Sequence, residues 1–162
     1  MATAQKQLHP IPPLFDARSR VLILGSFPSV KSREARFFYG HPQNRFWRIM
    51  AALTNREIPQ TVEEKTDLIL SNHFALWDSI GSCTIVGSSD SSIKDVVAND
   101  LRIITDHAPI ERIYCNGNAS LAAYRKYIEP TLAREAIALP SSSPANAAWS
   151  LERLIEAWRV IL

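Results

Sequence analysis

The sequence predicts an α/β protein with a parallel sheet covered by helices on both faces, and three observations carry that prediction. Residues 21–24, Val-Leu-Ile-Leu, form a wholly apolar run of strand length stopped by Gly25, the pattern of a strand buried on both sides. Two later runs, 112–115 and 136–139, have the same length and also end in polar turns. An apolar-faced helix follows each turn. Helical connections make neighbouring strands parallel, which brings the three strand-end turns to one edge of the sheet.

Each element follows in chain order. Within residues 1–20, His9, Pro10, Pro12 and Pro13 favour an extended or polyproline arm over a helix, and this arm is expected to lie over the edge of the domain. From Ser26 to Gln43 no helical or strand period holds. Phe37, Phe38 and Tyr39 argue that this loop is ordered and functional. Pro42 disfavours helix at His41, and Asn44 can start one, giving a helix over 44–54 with Phe46, Ile49, Met50 and Leu53 inward and Arg45 and Arg48 outward. Thr61 and Glu64 make a capping box for a packing helix through Leu68, Ile69 and Leu70.

Residues 74–80 read as a strand, and 81–92, rich in Gly, Ser and Asp, as a loop. Asp78 and Asp90 stand at its two ends; as an acid–base pair they are weak candidates, since nothing in the spacing joins them and each can anchor a turn or cap. A short helix at 99–107 stops before Pro109. Strand 112–115 ends in Asn116-Gly117-Asn118 and leads to a helix with Leu121, Ala122, Tyr124 and Ile128 inward. Strand 136–139 runs into Pro140-Ser-Ser-Ser-Pro-Ala-Asn146, and Trp149, Leu151, Leu154, Ile155 and Trp158 mark the last helix.

A length of 162 residues fits one domain, 1–162, with a core large enough to need no disulfide or metal. Cys83 and Cys115 form no C-x-x-C pair and read as buried apolar residues in a reducing, cytoplasmic compartment. No apolar run reaches membrane-spanning length and no leader pattern opens the chain, so a soluble protein without a membrane partner is expected, as a monomer. Charge is uneven. Residues 31–48 hold Lys31, Arg33, Arg36, Arg45 and Arg48 against Glu34 alone, while the rest of the chain carries 13 basic and 15 acidic residues. A local positive patch suits a nucleic-acid binder, because cations displace counterions from phosphates; it equally suits a solvated loop.

Several chemistries are excluded. Gly25-Ser-Phe-Pro-Ser29 has Phe27 where a nucleophile elbow needs serine, and neither a P-loop nor G-x-G-x-x-G is present. His9, His41, His73 and His107 show no ligand spacing, so no metal and no cofactor are expected. There remains a sheet-edge pocket of aromatics (Phe27, Tyr39), amides (Asn44, Asn116, Asn118), backbone N–H groups near Gly25 and Ser26, and the hydroxyls of Ser141, Ser142 and Ser143. A planar heterocycle suits it: an aromatic face stacks while amides and backbone groups read the edge.

Gly25-Ser-Phe-Pro-Ser29, Tyr39-Gly-His-Pro-Gln-Asn-Arg-Phe-Trp47, Tyr114-Cys-Asn-Gly117 and Leu139-Pro-Ser-Ser-Ser-Pro144 resemble the uracil-DNA glycosylase superfamily, and within it family 6, the hypoxanthine-DNA (deoxyinosine) glycosylases, kin of the mismatch-specific uracil and thymine glycosylases. The similarity runs from about Pro12 to Trp158, and the H-P-x-N-R-F-W block is its specific part. The resemblance implies a three-layer α/β/α sandwich with a short parallel central sheet. It also implies a monofunctional enzyme that flips a deaminated base, hypoxanthine or uracil, out of DNA and hydrolyses its N-glycosidic bond without metal or cofactor. Phe27 stands where mismatch-specific uracil glycosylases carry a water-positioning Asn, so the resemblance makes Asn44 the catalytic amide. Tyr39 then matches the aromatic that stacks on the base, Ser26 and Phe27 the backbone that binds its edge, and Asn116 the group that distinguishes it. Ser141, Ser142 and Ser143 match the loop that grips phosphates, with Pro144 and Ala145 as its wedge and Lys31 and Arg33 as further DNA contacts. Arg45 and Trp47 read as structural. A related module that binds nucleic acid without cutting it, and a hydrolase of free nucleosides, are the rival readings.

Overall fold

The computed structural model describes residues 3–162. Strand β1 (Gln5–Leu8) precedes β2 (Val21–Gly25), and helices α1 (Val30–Ala35), α2 (Phe46–Leu53) and α3 (Val62–Ser71) lead to β3 (Phe74–Asp78). Strands β4 (Ile80–Ile85) and β5 (Lys94–Ala98) and the short α4 (Arg102–Thr105) come before β6 (Arg112–Asn116). Helices α5 (Asn118–Tyr127) and α6 (Glu129–Leu132), strand β7 (Ile137–Leu139) and helix α7 (Leu151–Trp158) follow.

Strands β3, β2, β6 and β7 form a parallel sheet in that spatial order. Its winding sets the layers. The crossover from β2 to β3 moves one way along the sheet and that from β6 to β7 the other, so right-handed connections put α2 and α3 on one face and α5 and α6 on the opposite face. This is the predicted α/β/α sandwich. Leu22, Ile23 and Leu24 are fully buried because β2 is an inner strand with a helical layer on each side. Helix α7 returns to α2, where the rings of Trp158 and Phe46 meet edge to face at 5.8 Å. The winding reverses between β2 and β6, and open α/β sheets bind ligands beyond the strand ends at such a point.

Three expectations need correction. Residues 81–92 are not one loop: β4 pairs antiparallel with β1 and with β5, making a second, three-stranded sheet. Its Gly- and Ser-rich composition hides a strand whose Ile80, Ser82, Cys83 and Ile85 face inward. The arm is extended, as its prolines require, but it is integral to the fold, supplying β1 and a bridge from Leu14 to Leu76. Within the 26–43 segment lies α1, opened by the Ser29 hydroxyl, which accepts from Ser32 N at 3.2 Å, and closed by Arg36 in the left-handed region. The remaining differences are short: the helix expected over 44–54 starts at Phe46, and that over 99–107 contracts to α4.

The capping box is present in full, with Thr61 Oγ1 accepting from Glu64 N and Glu64 Oε1 accepting from Thr61 N, both at 3.1 Å. Thr61→Ala is expected to lower stability by about 1 kcal/mol, read as a fall in melting temperature of roughly 2–4 °C.

Candidate active site

The carboxyl ends of β3, β2 and β6 put Asp78, Gly25 and Asn116 side by side, because Gly25 pairs with Asp78 and Leu24 with Cys115. Above them lies a cavity of about 340 Å³, walled by residues 26–29, by Phe38, Tyr39, His41 and Asn44, and by Ser141 to Ala145. Gly25 is required by proximity. A Cβ there would collide with the Asp78 carboxylate and crowd the Tyr39 hydroxyl.

Asn44 and Tyr39 share this cavity, as the motif reading requires. The Asn44 side chain is oriented by its neighbours: Oδ1 accepts from Phe46 N at 3.0 Å and from Ser142 Oγ at 2.8 Å. Since a backbone N–H can only donate, the oxygen must face it. Nδ2 makes no hydrogen bond among the described residues. Tyr39 has φ 52°, a left-handed turn supported by Ser32, whose hydroxyl accepts from Gly40 N at 2.9 Å. Phe46 covers one face of its ring, stacked at 4.0 Å. The phenol oxygen is buried without a hydrogen-bond partner, and burial first, then the nearby Asp78 charge, pushes its pKa upward, keeping it a neutral donor.

Asn116 and Ser142 bind each other more than they face the cavity. Asn116 Oδ1 accepts from Ser142 N at 3.0 Å, and its Nδ2 donates to Ser142 Oγ at 2.9 Å. Ser142 Oγ hands the chain on to Asn44, and Ser142 is fully buried. Ser142, with no exposed surface, is not placed to grip a phosphate through its side chain, whereas Asn116 keeps a second N–H and a second lone pair and lines the cavity. Ser141 and Ser143 are half-buried, their hydroxyls accepting from Ser143 N and Ala145 N at 3.1 Å, while Pro144 and Ala145 are exposed at the rim.

Beneath this loop, Arg45 does the holding. Its guanidinium donates to the carbonyls of Ser142, Ser143, Asn146 and Trp149. Trp47 is buried and donates to Phe38 O at 3.1 Å, fixing the aromatic turn. Both residues are structural, as expected.

Ser26 and Phe27 line the cavity, and neither backbone N–H donates to a backbone acceptor among the described residues. Ser26 Oγ donates to Asp90 Oδ1 at 2.8 Å. The Phe27 ring is a wall, 7 % exposed and packed with Ile80, Cys83 and Ile85. Arg33 is not a free cation for DNA: it donates to Gly87 O at 2.7 Å and lies over the Phe27 ring. Lys31 is exposed, 3.8 Å from Glu34, outside the cavity wall.

Sequence reasoning undervalued Asp78 and Asp90 and missed His9. Both carboxylates line the same cavity, and His9 Nε2 sits 2.7 Å from Asp78 Oδ2. The signal was available for Asp78: in a parallel sheet every strand ends on one edge. The Asp90 carboxyl is raised above the ordinary range by burial, with the Asp78 charge adding and the Ser26 hydrogen bond opposing. Among the described residues no group of three or more His, Cys, Asp or Glu could hold a metal ion, and no helix is long and apolar enough to cross a membrane.

A sequence profile described as the uracil DNA glycosylase superfamily matches residues 12–162. The chain belongs to this superfamily. Curated relatives are the proteins named hypoxanthine DNA glycosylase from Methanosarcina acetivorans, 31% identical over 93% of this chain and 94% of its own, and from Methanosarcina barkeri, 31% identical over 83% and 85%. A solution NMR structure of a candidate uracil DNA glycosylase from Methanosarcina acetivorans superposes with a TM-score of 0.76 at 29% identity, covering 93% of this chain and 96% of that one.

For a uracil DNA glycosylase superfamily member, the loop at 141–146 and the Asn44 amide are thus set by one arginine and one chain of hydrogen bonds. Arg45→Lys cannot reproduce the forked donation to several carbonyls, so it is expected to lower stability by about 1–3 kcal/mol. Amide exchange in 141–149 should accelerate more than exchange in β2.

Proposed function

We propose that this chain is a monofunctional DNA glycosylase that takes a deaminated base, hypoxanthine first and uracil second, out of DNA into the cavity and hydrolyses its N-glycosidic bond. The observation that carries the reading is the shared cavity of Asn44 and Tyr39, with the Asn44 oxygen engaged and its N–H₂ group without a partner. The two relatives named hypoxanthine DNA glycosylase support the choice of base. The whole chain, 1–162, is read as the one catalytic domain. A monomer in the cytoplasm belongs to the same proposal, the latter in keeping with two free, buried cysteines.

An amide is no base, so Asn44 would act by position. Water accepts a hydrogen bond from Nδ2 through one lone pair and directs the other at the anomeric carbon. The C1′–O bond forms as the C1′–N bond breaks, the bonding pair leaves with the base, and the proton lost by water is balanced by one gained on the base. The sugar's oxocarbenium character makes a weak nucleophile sufficient. Tyr39, backed by Phe46, is read as the stacking surface, and the Ser26 and Phe27 amides as donors to the base edge. Pro144 and Ala145 are the wedge into the duplex and Lys31 the outlying phosphate contact.

A duplex bearing one deoxyinosine, treated with the protein and then alkali, tests this. Strand cleavage at that position supports the enzyme, whereas retention of the duplex with no abasic site supports a binding module that does not cut, and activity on free inosine points to a nucleoside hydrolase. Asn44→Ala is expected to slow excision by a factor on the order of 10²–10³ while affinity for the inosine duplex changes little. Parental rates in that variant would move catalysis elsewhere in the cavity.

A further inference from the structure

Asp78 has two carboxylate oxygens with different fates, and His9 makes the difference. His9 follows β1 and is held by its own N–H, which donates to Gly81 O at 2.8 Å. Ile11 N donates to His9 Nδ1 at 3.3 Å, so that nitrogen is an acceptor and the ring proton lies on Nε2. Nε2–H therefore donates to Asp78 Oδ2, at 2.7 Å, with the two side chains only 4 % and 6 % exposed. Phe27 and Trp77 pack edge-on against the imidazole and fix its plane. Asp78 Oδ1 receives no hydrogen bond from the described residues and lies over Gly25 in the cavity floor. A carboxylate oxygen left this way in a nearly buried side chain needs a donor, which the contents of the cavity can supply.

We propose that His9 and Asp78 form a reader of the base edge, with Asp78 accepting a ring N–H from the extruded base and His9 positioning it to do so. The proposal rests on the glycosylase reading above and names what selects its substrate. The depth of the groups orders the ligand: Asn44 is half-exposed beside the serine loop, where the sugar enters, and Asp78 is at the floor with the buried Tyr39 hydroxyl, where the far edge of the base arrives. Deamination changes that edge in one consistent way. Adenine carries a lone pair at N1 and hypoxanthine an N–H; cytosine carries a lone pair at N3 and uracil an N–H. A fixed carboxylate accepts from both deaminated bases and repels both parents. Asn116 is tied to Ser142 through both ends of its amide and offers a base only its remaining N–H and lone pair.

The test uses the full chain under single-turnover conditions on two duplexes that differ in one nucleotide. One carries deoxyinosine. The other carries deoxynebularine, a purine of nearly the same outline with a lone pair at N1. The parent is expected to favour deoxyinosine by a factor on the order of 10² or more. In Asp78→Asn, His9 still needs an acceptor and takes the amide oxygen, so the amide N–H₂ faces the cavity; deoxyinosine excision should fall by a factor on the order of 10² and the preference collapse. Adding His9→Ala frees that amide to rotate, and the double variant should recover deoxyinosine excision relative to Asp78→Asn alone. A purely structural pair gives no such recovery. Parental selectivity in Asp78→Asn, or a double variant less active than the single one, would overturn the proposal. A parent that excises no deaminated base at all would instead overturn the glycosylase reading, and this proposal with it.

Discussion

The Arg45 guanidinium is the contact on which the site depends. It leaves the start of α2, the best buried helix of its layer, and donates to four backbone carbonyls of the 142–149 loop, while Arg45 N donates to Ser142 O at 3.0 Å. A loop carrying so many carbonyls has no regular partner for them, and a planar, permanently charged fork is the side chain best suited to collect them. Ser142 is thereby held where its hydroxyl can bridge Asn116 and Asn44. Three motifs far apart in the chain become one rigid unit, and the unit presents a single unengaged amide N–H₂ group to the cavity.

The electrostatics of the region follow from the same economy of contacts. Residues 31–48 are strongly basic, yet Arg33 is tied to Gly87 and Phe27, and Arg45 to the serine loop. Lys31 and Arg36, both exposed, and the half-buried Arg48 remain for phosphates. The cavity itself holds two carboxylates, Asp78 and Asp90. Asp78 is the buried one of the two, at the floor where a base edge would reach, while Asp90 is exposed and bound by the Ser26 hydroxyl.

Local patterns made much of this legible, and long-range pairing hid the rest. Val21 to Gly25 and the Thr61 box were readable because a buried strand and a capping box are each complete within a few residues. The polar turns at Ser26, Asn116 and Ser141 were readable as one edge because parallel strands end together. Strand β4 was not, since Gly81, Ser82 and Thr84 look like loop residues until β1 and β5 supply partners. The engagement of Asn116 with Ser142 was equally hidden: an amide at a strand end looks free in sequence, and only the register of β6 against β7, Asn116 beside Leu139, brings the two together. His9 read as an ordinary polar residue because its partner lies 69 positions away.

The orientation of the Asn44 amide decides what kind of catalyst the site can be. An amide whose oxygen faced the cavity could take a hydrogen bond from water and lean toward base catalysis; here Phe46 N and Ser142 Oγ occupy that oxygen, and the donor end faces inward. A donor to water does not raise its nucleophilicity, so on the glycosylase reading the rate must come from holding water in line with a bond that is already breaking. Such a mechanism is tolerant of Phe27, which cannot orient water, because the orienting group sits on α2's approach and not on the turn after β2. It also explains why the geometry of the serine loop matters at a distance: shifting Ser142 would leave the Asn44 oxygen held by Phe46 N alone, loosening the amide without touching any residue that meets the sugar.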